Sequence, residues 1–175
     1  MSVDLAVLLI TIALGLTFDF INGFHDTANA IATVVATRVL SSGRAVLMAG
    51  VLNFVGALCF TKVAETIAKG LVSGATQPII LAAIVGAIVW NLITWYFGLP
   101  SSSSHALIGG LVGAALAASA AVHWSTILDK VVIPMVVSPL VGFGLAFLVM
   151  LTIMWVFRRG NPHRISRGFR FMQTL

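Results

Sequence analysis

Runs of about 20 apolar residues, each long enough to cross roughly 30 Å of hydrocarbon as a helix, recur through this 175-residue chain. Inside a bilayer every backbone N–H and C=O must be paired within the protein, which leaves α-helices and closed barrels as the spanning forms. The strict alternation of barrel strands is missing, so an all-α integral membrane protein is expected. Only 9% of the residues are charged and 59% are hydrophobic, against about 25% charged in ordinary soluble domains.

The first span is expected from about Val3 to Ile21, and the helical pattern resumes from about Thr27 to Leu40. Between them Asn22-Gly23-Phe24-His25-Asp26 supplies a flexible glycine and polar side chains able to pair freed backbone groups, which predicts a discontinuous or kinked first helix. A second span covers about Ala45 to Ala68, with Lys62 and Glu65 one helical step apart near its far end and snorkelling to the interface. Lys69 to Gln77 is a loop, and a third run extends from about Ile79 to Phe97, interrupted by Asn91 and closed by Trp95-Tyr96.

Pro100 then stops that helix, and a serine of Ser101 to Ser104 can cap the next. The following arm, Ala106 to Ala121, is rich in glycine and alanine and suits close helix packing. At about 16 residues it is short for a full span, so the pair forms a helical hairpin, either re-entrant or fully spanning. The last span runs from about Val131 to Phe157, with a kink or interfacial start near Pro134 and Pro139. The chain thus divides into a transmembrane unit, 1–157, and a basic tail, 158–175.

The formal charge of +5 comes largely from Arg158, Arg159, Arg164, Arg167 and Arg170. That cluster is the cytoplasmic flank of a membrane protein beside anionic lipid, and no nucleic-acid partner is expected. Adding Arg38 and Arg44 gives seven basic residues on one side, against Lys62, Lys69 and Lys130 on the other. This bias places the N-terminus outside and the tail in the cytoplasm, in a multi-pass protein of the inner (cytoplasmic) membrane. The first run lacks a basic leader region and a cleavage site, so no removable signal peptide is expected. Cys59 is the single cysteine and has no internal partner.

Asp19, Asn22, Asp26, Asn29, Thr33 and Thr37 follow one another at steps of three, four, three, four and four, which traces one face of a helix. Such groups are costly in hydrocarbon and must face protein, water or cargo. No Lys or Arg lies at comparable depth, so an anion would be held by hydroxyls, amides and helix N-terminal N–H groups, with its charge offset by a proton or metal cation. Ser101 to Ser104 offer such a set of donors, or else a simple helix cap. His25 beside Asp26 fits a proton relay, a metal ligand or a plain hydrogen-bonded pair. Ser, His and Asp also invite an intramembrane hydrolase, but Ser104 adjoins His105 and no GxSxG elbow is present. No enzyme is expected.

Two stretches carry a more specific likeness. NGFHDTANAIAT, Asn22 to Thr33, and GLPSSSSHALIGGLVG, Gly98 to Gly113, closely resemble the two signature motifs of the N-terminal half of the inorganic phosphate transporter (PiT) family. The likeness extends over essentially the whole chain. It implies one half of an inverted-repeat secondary transporter, with phosphate bound near the midplane between a broken helix and a hairpin tip. Carried onto these positions, it implies phosphate ligation by Thr27 and Ser101, Ser102, Ser103 and Ser104. Asp26, Asn29, His25, Asn22 and Asp19 would serve the coupling ion. His25 stands where sodium-coupled members have asparagine, as in the bacterial low-affinity, proton-coupled branch. The resemblance therefore implies phosphate–proton symport, with no resident cofactor and with a divalent metal as a co-substrate in a metal–phosphate complex.

Neither motif recurs within these residues, so a second inverted half is expected either in a longer chain or on a partner polypeptide. Three alternatives remain open on the residues alone. These are sodium coupling, another tetrahedral oxyanion such as sulfate or arsenate, and a non-transporting membrane subunit whose polar stripe only assembles partners.

Overall fold

A computed structural model describes residues 3–59, 70–160 and 162–172, and these are helical almost throughout. The elements are α1 (Val3–Ala36), α2 (Ser42–Cys59), α3 (Gln77–Tyr96), α4 (Ser103–Ala117), the short α5 (Trp124–Ile127), a π-helical segment (Leu128–Val132), α6 (Ile133–Phe157) and α7 (Pro162–Met172). Among the described residues four apolar stretches are long enough to cross a bilayer, namely α1, α2, α3 and the continuous run Trp124–Phe157. The expected Lys62–Glu65 pair and the end of the second span lie outside the described residues.

The predicted break in the first helix does not form, because α1 runs unbroken through Asn22–Asp26 for 34 residues. Glycine costs a helix only about 1 kcal/mol relative to alanine, too little to open a ladder with favourable residues on both sides. Threonine hydroxyls along α1 bond back onto the carbonyls of the intact ladder. Thr27 donates to the carbonyl of Gly23, and Thr11, Thr17 and Thr37 each donate to the carbonyl four residues earlier. Polarity in this stretch therefore decorates a continuous helix.

The hairpin forms as expected from α3 and α4, which pack on each other and present α3 to α1. Their contact is close because of one residue. A Cβ built on Gly110 would lie 2.5 Å from the carbonyl oxygen of Ala83, so only glycine lets the two backbones approach this far. At the base of the hairpin Leu71, Val72, Ile79, Ala83, Leu111 and Ala115 form a small core. A one-pair antiparallel bridge, Val72 to Val122, ties the entering and leaving loops together. Its bonds run from Ser73 N to Ala121 O and from His123 N to Leu71 O, each 2.9 Å. Ser73 Oγ and His123 Nε2 meet at 2.6 Å beside it.

The tip of the hairpin reaches α1 at Asp26, ten residues before Ala36. At 1.5 Å per residue that is about 15 Å from that end of the helix. The last span starts earlier than expected, at Trp124, and the π-helical segment precedes Pro134 at the start of α6. There the N–H of Ile133 bonds the carbonyl of Leu128 five residues back, a local loosening of the kind that accompanies proline. Pro139 sits inside α6 without ending it. No described residue of α6 is buried, as suits a helix whose large apolar side chains face lipid or another protein surface.

Candidate functional site

The site lies where the tip of the hairpin meets the middle of α1. Pro100 lies within the loop 97–102 after α3, and Ser102 caps α4 by accepting from the N–H of His105 at 3.3 Å. The cap places Ser103 at the first helical position, where backbone N–H groups have no partner within the helix. Ser103 is buried, and its hydroxyl donates to Asp26 Oδ2 at 2.7 Å and lies in hydrogen-bonding contact with Asn22 Oδ1.

The other carboxylate oxygen, Asp26 Oδ1, lies 3.1 Å from His25 Nδ1. A carboxylate only accepts, so this contact places a proton on Nδ1. On its far side the ring meets Thr94, with Nε2 3.4 Å from Thr94 Oγ1. The Thr94 hydroxyl also lies within donor distance of the carbonyls of Trp90, at 3.0 Å, and Asn91, at 3.1 Å. It can therefore donate to a neutral imidazole, or turn to its own helix and accept from an imidazolium. Phe24 and Trp95 close the same junction edge to face, with ring centroids 5.5 Å apart.

Burial divides the pair. The His25 side chain is 6% exposed and that of Asp26 is 43% exposed. Asp26 thus stands at the wall of an open cleft of about 660 Å³ that Asn29, Ala30, Pro100, Ser101 and Ser102 also line. A second cleft, behind the same serines, is lined by Gly86, Trp90, His105, Ala106, Gly109 and Gly110. Trp90 Nε1 donates to Ser101 Oγ at 3.0 Å and separates the two. Neither cleft is lined by a lysine or arginine. Among the described residues no three His, Cys, Asp or Glu side chains converge on a common point.

Of the residues singled out from sequence, Asn22, His25, Asp26 and Ser103 join in one network, and Asn29, Ser101 and Ser102 line the adjoining cleft. Three fall outside it. Asp19 is exposed further up α1, Ser104 is exposed on α4, and the Thr27 hydroxyl is turned onto the carbonyl of Gly23. Two residues of α3 were missed, Thr94 as the second partner of His25 and Asn91, fully buried beside it with no partner among the described residues for either amide atom. Their signal was a polar pair three residues apart in an otherwise apolar run, in line with the buried Ala83 and Ala87.

With this geometry in view, the comparisons with known proteins are informative. The sequence profile of the phosphate transporter family matches residues 22–174. A probable low-affinity inorganic phosphate transporter of Streptomyces halstedii is 51% identical, over 99% of this chain and 84% of that protein. One of the same description from Bacillus subtilis is 45% identical over 100% of this chain, which spans 54% of its length. A solved structure described as the sodium-dependent phosphate transporter superposes with a TM-score of 0.80 at 36% identity, covering 91% of this chain and 42% of that one.

Proposed function

The chain belongs to the phosphate transporter family, and from that premise we propose that it supplies one repeat of a secondary carrier that moves inorganic phosphate together with protons. The observation that carries this reading is the position of Asp26, bonded on one oxygen to His25, on the other to Ser103 at the start of α4, and facing the cleft of Asn29, Ser101 and Ser102.

Phosphate oxygens accept hydrogen bonds, and the start of α4 offers serine hydroxyls, first-turn N–H groups and the positive end of a helix dipole. Ser101, Ser102 and Ser103 are its ligands in this scheme, with Asn29 on the facing wall. The carboxylate of Asp26 opposes such an anion. Two unit charges 4 Å apart repel by about 4 kcal/mol at an effective dielectric constant near 20. A proton taken up by the His25–Asp26 pair removes most of that repulsion, so phosphate binding and protonation favour one another. Because Thr94 can either donate to the ring or accept from it, protonation needs only a hydroxyl rotation.

Phosphate crossing as a neutral complex with a divalent metal fits the same logic, the metal being cargo whose charge offsets that of the anion. A second reading keeps the site and replaces the proton by sodium, and the description of the matched structure favours it. The two separate in proteoliposomes containing the complete carrier. Proton coupling requires uptake of labelled phosphate to follow an imposed pH gradient without sodium, and uptake driven by sodium but indifferent to that gradient would overturn it. A non-transporting subunit is tested on the purified chain, which should gain thermal stability with phosphate if it binds the anion.

A further inference from the structure

The basic tail is a helix with two unlike faces. Ile165, Phe169 and Met172 of α7 recur at helical spacing, and between them the sequence sets Arg164, Arg167 and Arg170 at every third position. The apolar side folds back on the end of α6. The Phe169 ring meets that of Phe157 at 5.3 Å, and Ile165 packs so closely over Gly160 that a Cβ there would lie 2.6 Å from its methyl group. Further along the same face Met172 is left 66% exposed.

The surroundings are unusually one-signed. Seven of the ten basic residues, Arg38, Arg44, Arg158, Arg159, Arg164, Arg167 and Arg170, lie in the segments at this end of the molecule. The five acidic residues are Asp4, Asp19, Asp26, Glu65 and Asp129, so residues 27–59 and 130–175 contain none. The end of α1 and α7 come together here, because Thr37, Ser166, Phe169 and Arg170 line one cleft of about 530 Å³. A helix that starts within five residues of a lipid-length apolar span is held at the bilayer surface, where basic residues and an apolar stripe both find partners.

We propose that α7 is a docking helix for anionic phospholipid, its arginines at the headgroup phosphates, Met172 among the acyl chains, and one headgroup phosphate seated beside Ser166 and Arg170. The occupant is a lipid because a sequence rich in arginine and free of acidic residues adjoins the exposed apolar Met172 beside a membrane span. A soluble anion would satisfy only the first of these.

The test uses the full chain in nanodiscs, with Cys59→Ser and Met172→Cys carrying an environment-sensitive fluorophore. Emission should shift to the blue in discs containing phosphatidylglycerol relative to phosphatidylcholine alone, and high salt should reverse the shift. R164Q/R167Q/R170Q should abolish it, at about fivefold weaker docking per arginine, whereas the corresponding lysine variant should retain it. Inorganic phosphate added to phosphatidylcholine discs should not reproduce it. Equal emission in the two lipids, a shift unaffected by the glutamine variant, or a shift produced by inorganic phosphate alone would each overturn the proposal.

Discussion

Ser103, the first residue of α4, donates a 2.7 Å hydrogen bond to Asp26 in the body of α1. That bond fixes the hairpin tip against the polar face of the first helix and makes a single carboxylate the meeting point of the two motifs. Hydrogen bonds to charged groups contribute about 1.5–3 kcal/mol. Ser103→Ala is therefore expected to weaken phosphate binding on the order of ten- to a hundredfold, read as loss of phosphate-dependent thermal stabilisation. Asp26→Asn should abolish coupled uptake in the complete carrier while membrane insertion is unchanged. Wild-type uptake by that variant would remove Asp26 from the mechanism.

His25 is gripped from both helices, by Asp26 within α1 and by Thr94 of α3. Replacing it by asparagine keeps a polar group but removes the site that gains a proton. Uptake by the His25→Asn carrier should lose its response to an imposed pH gradient, while the purified chain still gains stability with phosphate. Thr94→Val keeps the shape of the side chain and deletes the hydroxyl that follows the ring between its two states, so it should reduce proton-driven uptake more than phosphate binding. A variant pair with wild-type pH response would point to a purely structural contact.

Much of this arrangement was legible before the fold was known. Lipid-length apolar runs fixed the spans, Pro100 and the serines located the hairpin turn, and the small residues of Ala106 to Ala121 announced close packing. The reading failed where local polarity was taken for local irregularity. Asn22 to Asp26 look like a helix break, yet their side chains find partners on α3, on α4 or within α1 while the backbone ladder continues. Thr94 was invisible for a related reason, since nothing in α3 alone says that its buried face meets His25. The helix α7 hides behind its charge, because arginines after an apolar span signal orientation first and their three-residue spacing only second.

Gly110 makes a sharper structural prediction. A methyl group there would meet the Ala83 carbonyl at 2.5 Å, whereas one on Gly109 would meet nothing within 4 Å. Overpacking of this kind costs about 1–3 kcal/mol. Gly110→Ala should lower the thermal unfolding midpoint of the purified chain and displace the tip from Asp26, reducing the stabilisation by phosphate as well. Gly109→Ala, relieved of glycine's helix penalty, should be neutral or slightly stabilising. Equal effects from the two would mean that α3 and α4 are not packed through Gly110.

At the opposite end of the hairpin, Val72 and Val122 face each other in a bridge whose hydrogen bonds lie on the flanking residues, from His123 to Leu71 and from Ser73 to Ala121. This is the non-hydrogen-bonded type of antiparallel pair, in which Cα atoms stand about 4.5 Å apart, within the range that a disulfide spans. A Val72→Cys/Val122→Cys variant carrying Cys59→Ser should therefore oxidise rapidly to an internal cross-link, detected by a mobility shift that reductant reverses. The bridge joins only the base of the hairpin, and the tip reaches Asp26 through α3 and α4 held together at Gly110. If the hairpin moves as one body, the cross-linked chain keeps its stabilisation by phosphate, and the complete carrier keeps its uptake. Loss of uptake on oxidation, restored by reductant, would instead show that the two arms separate at their base during the transport cycle.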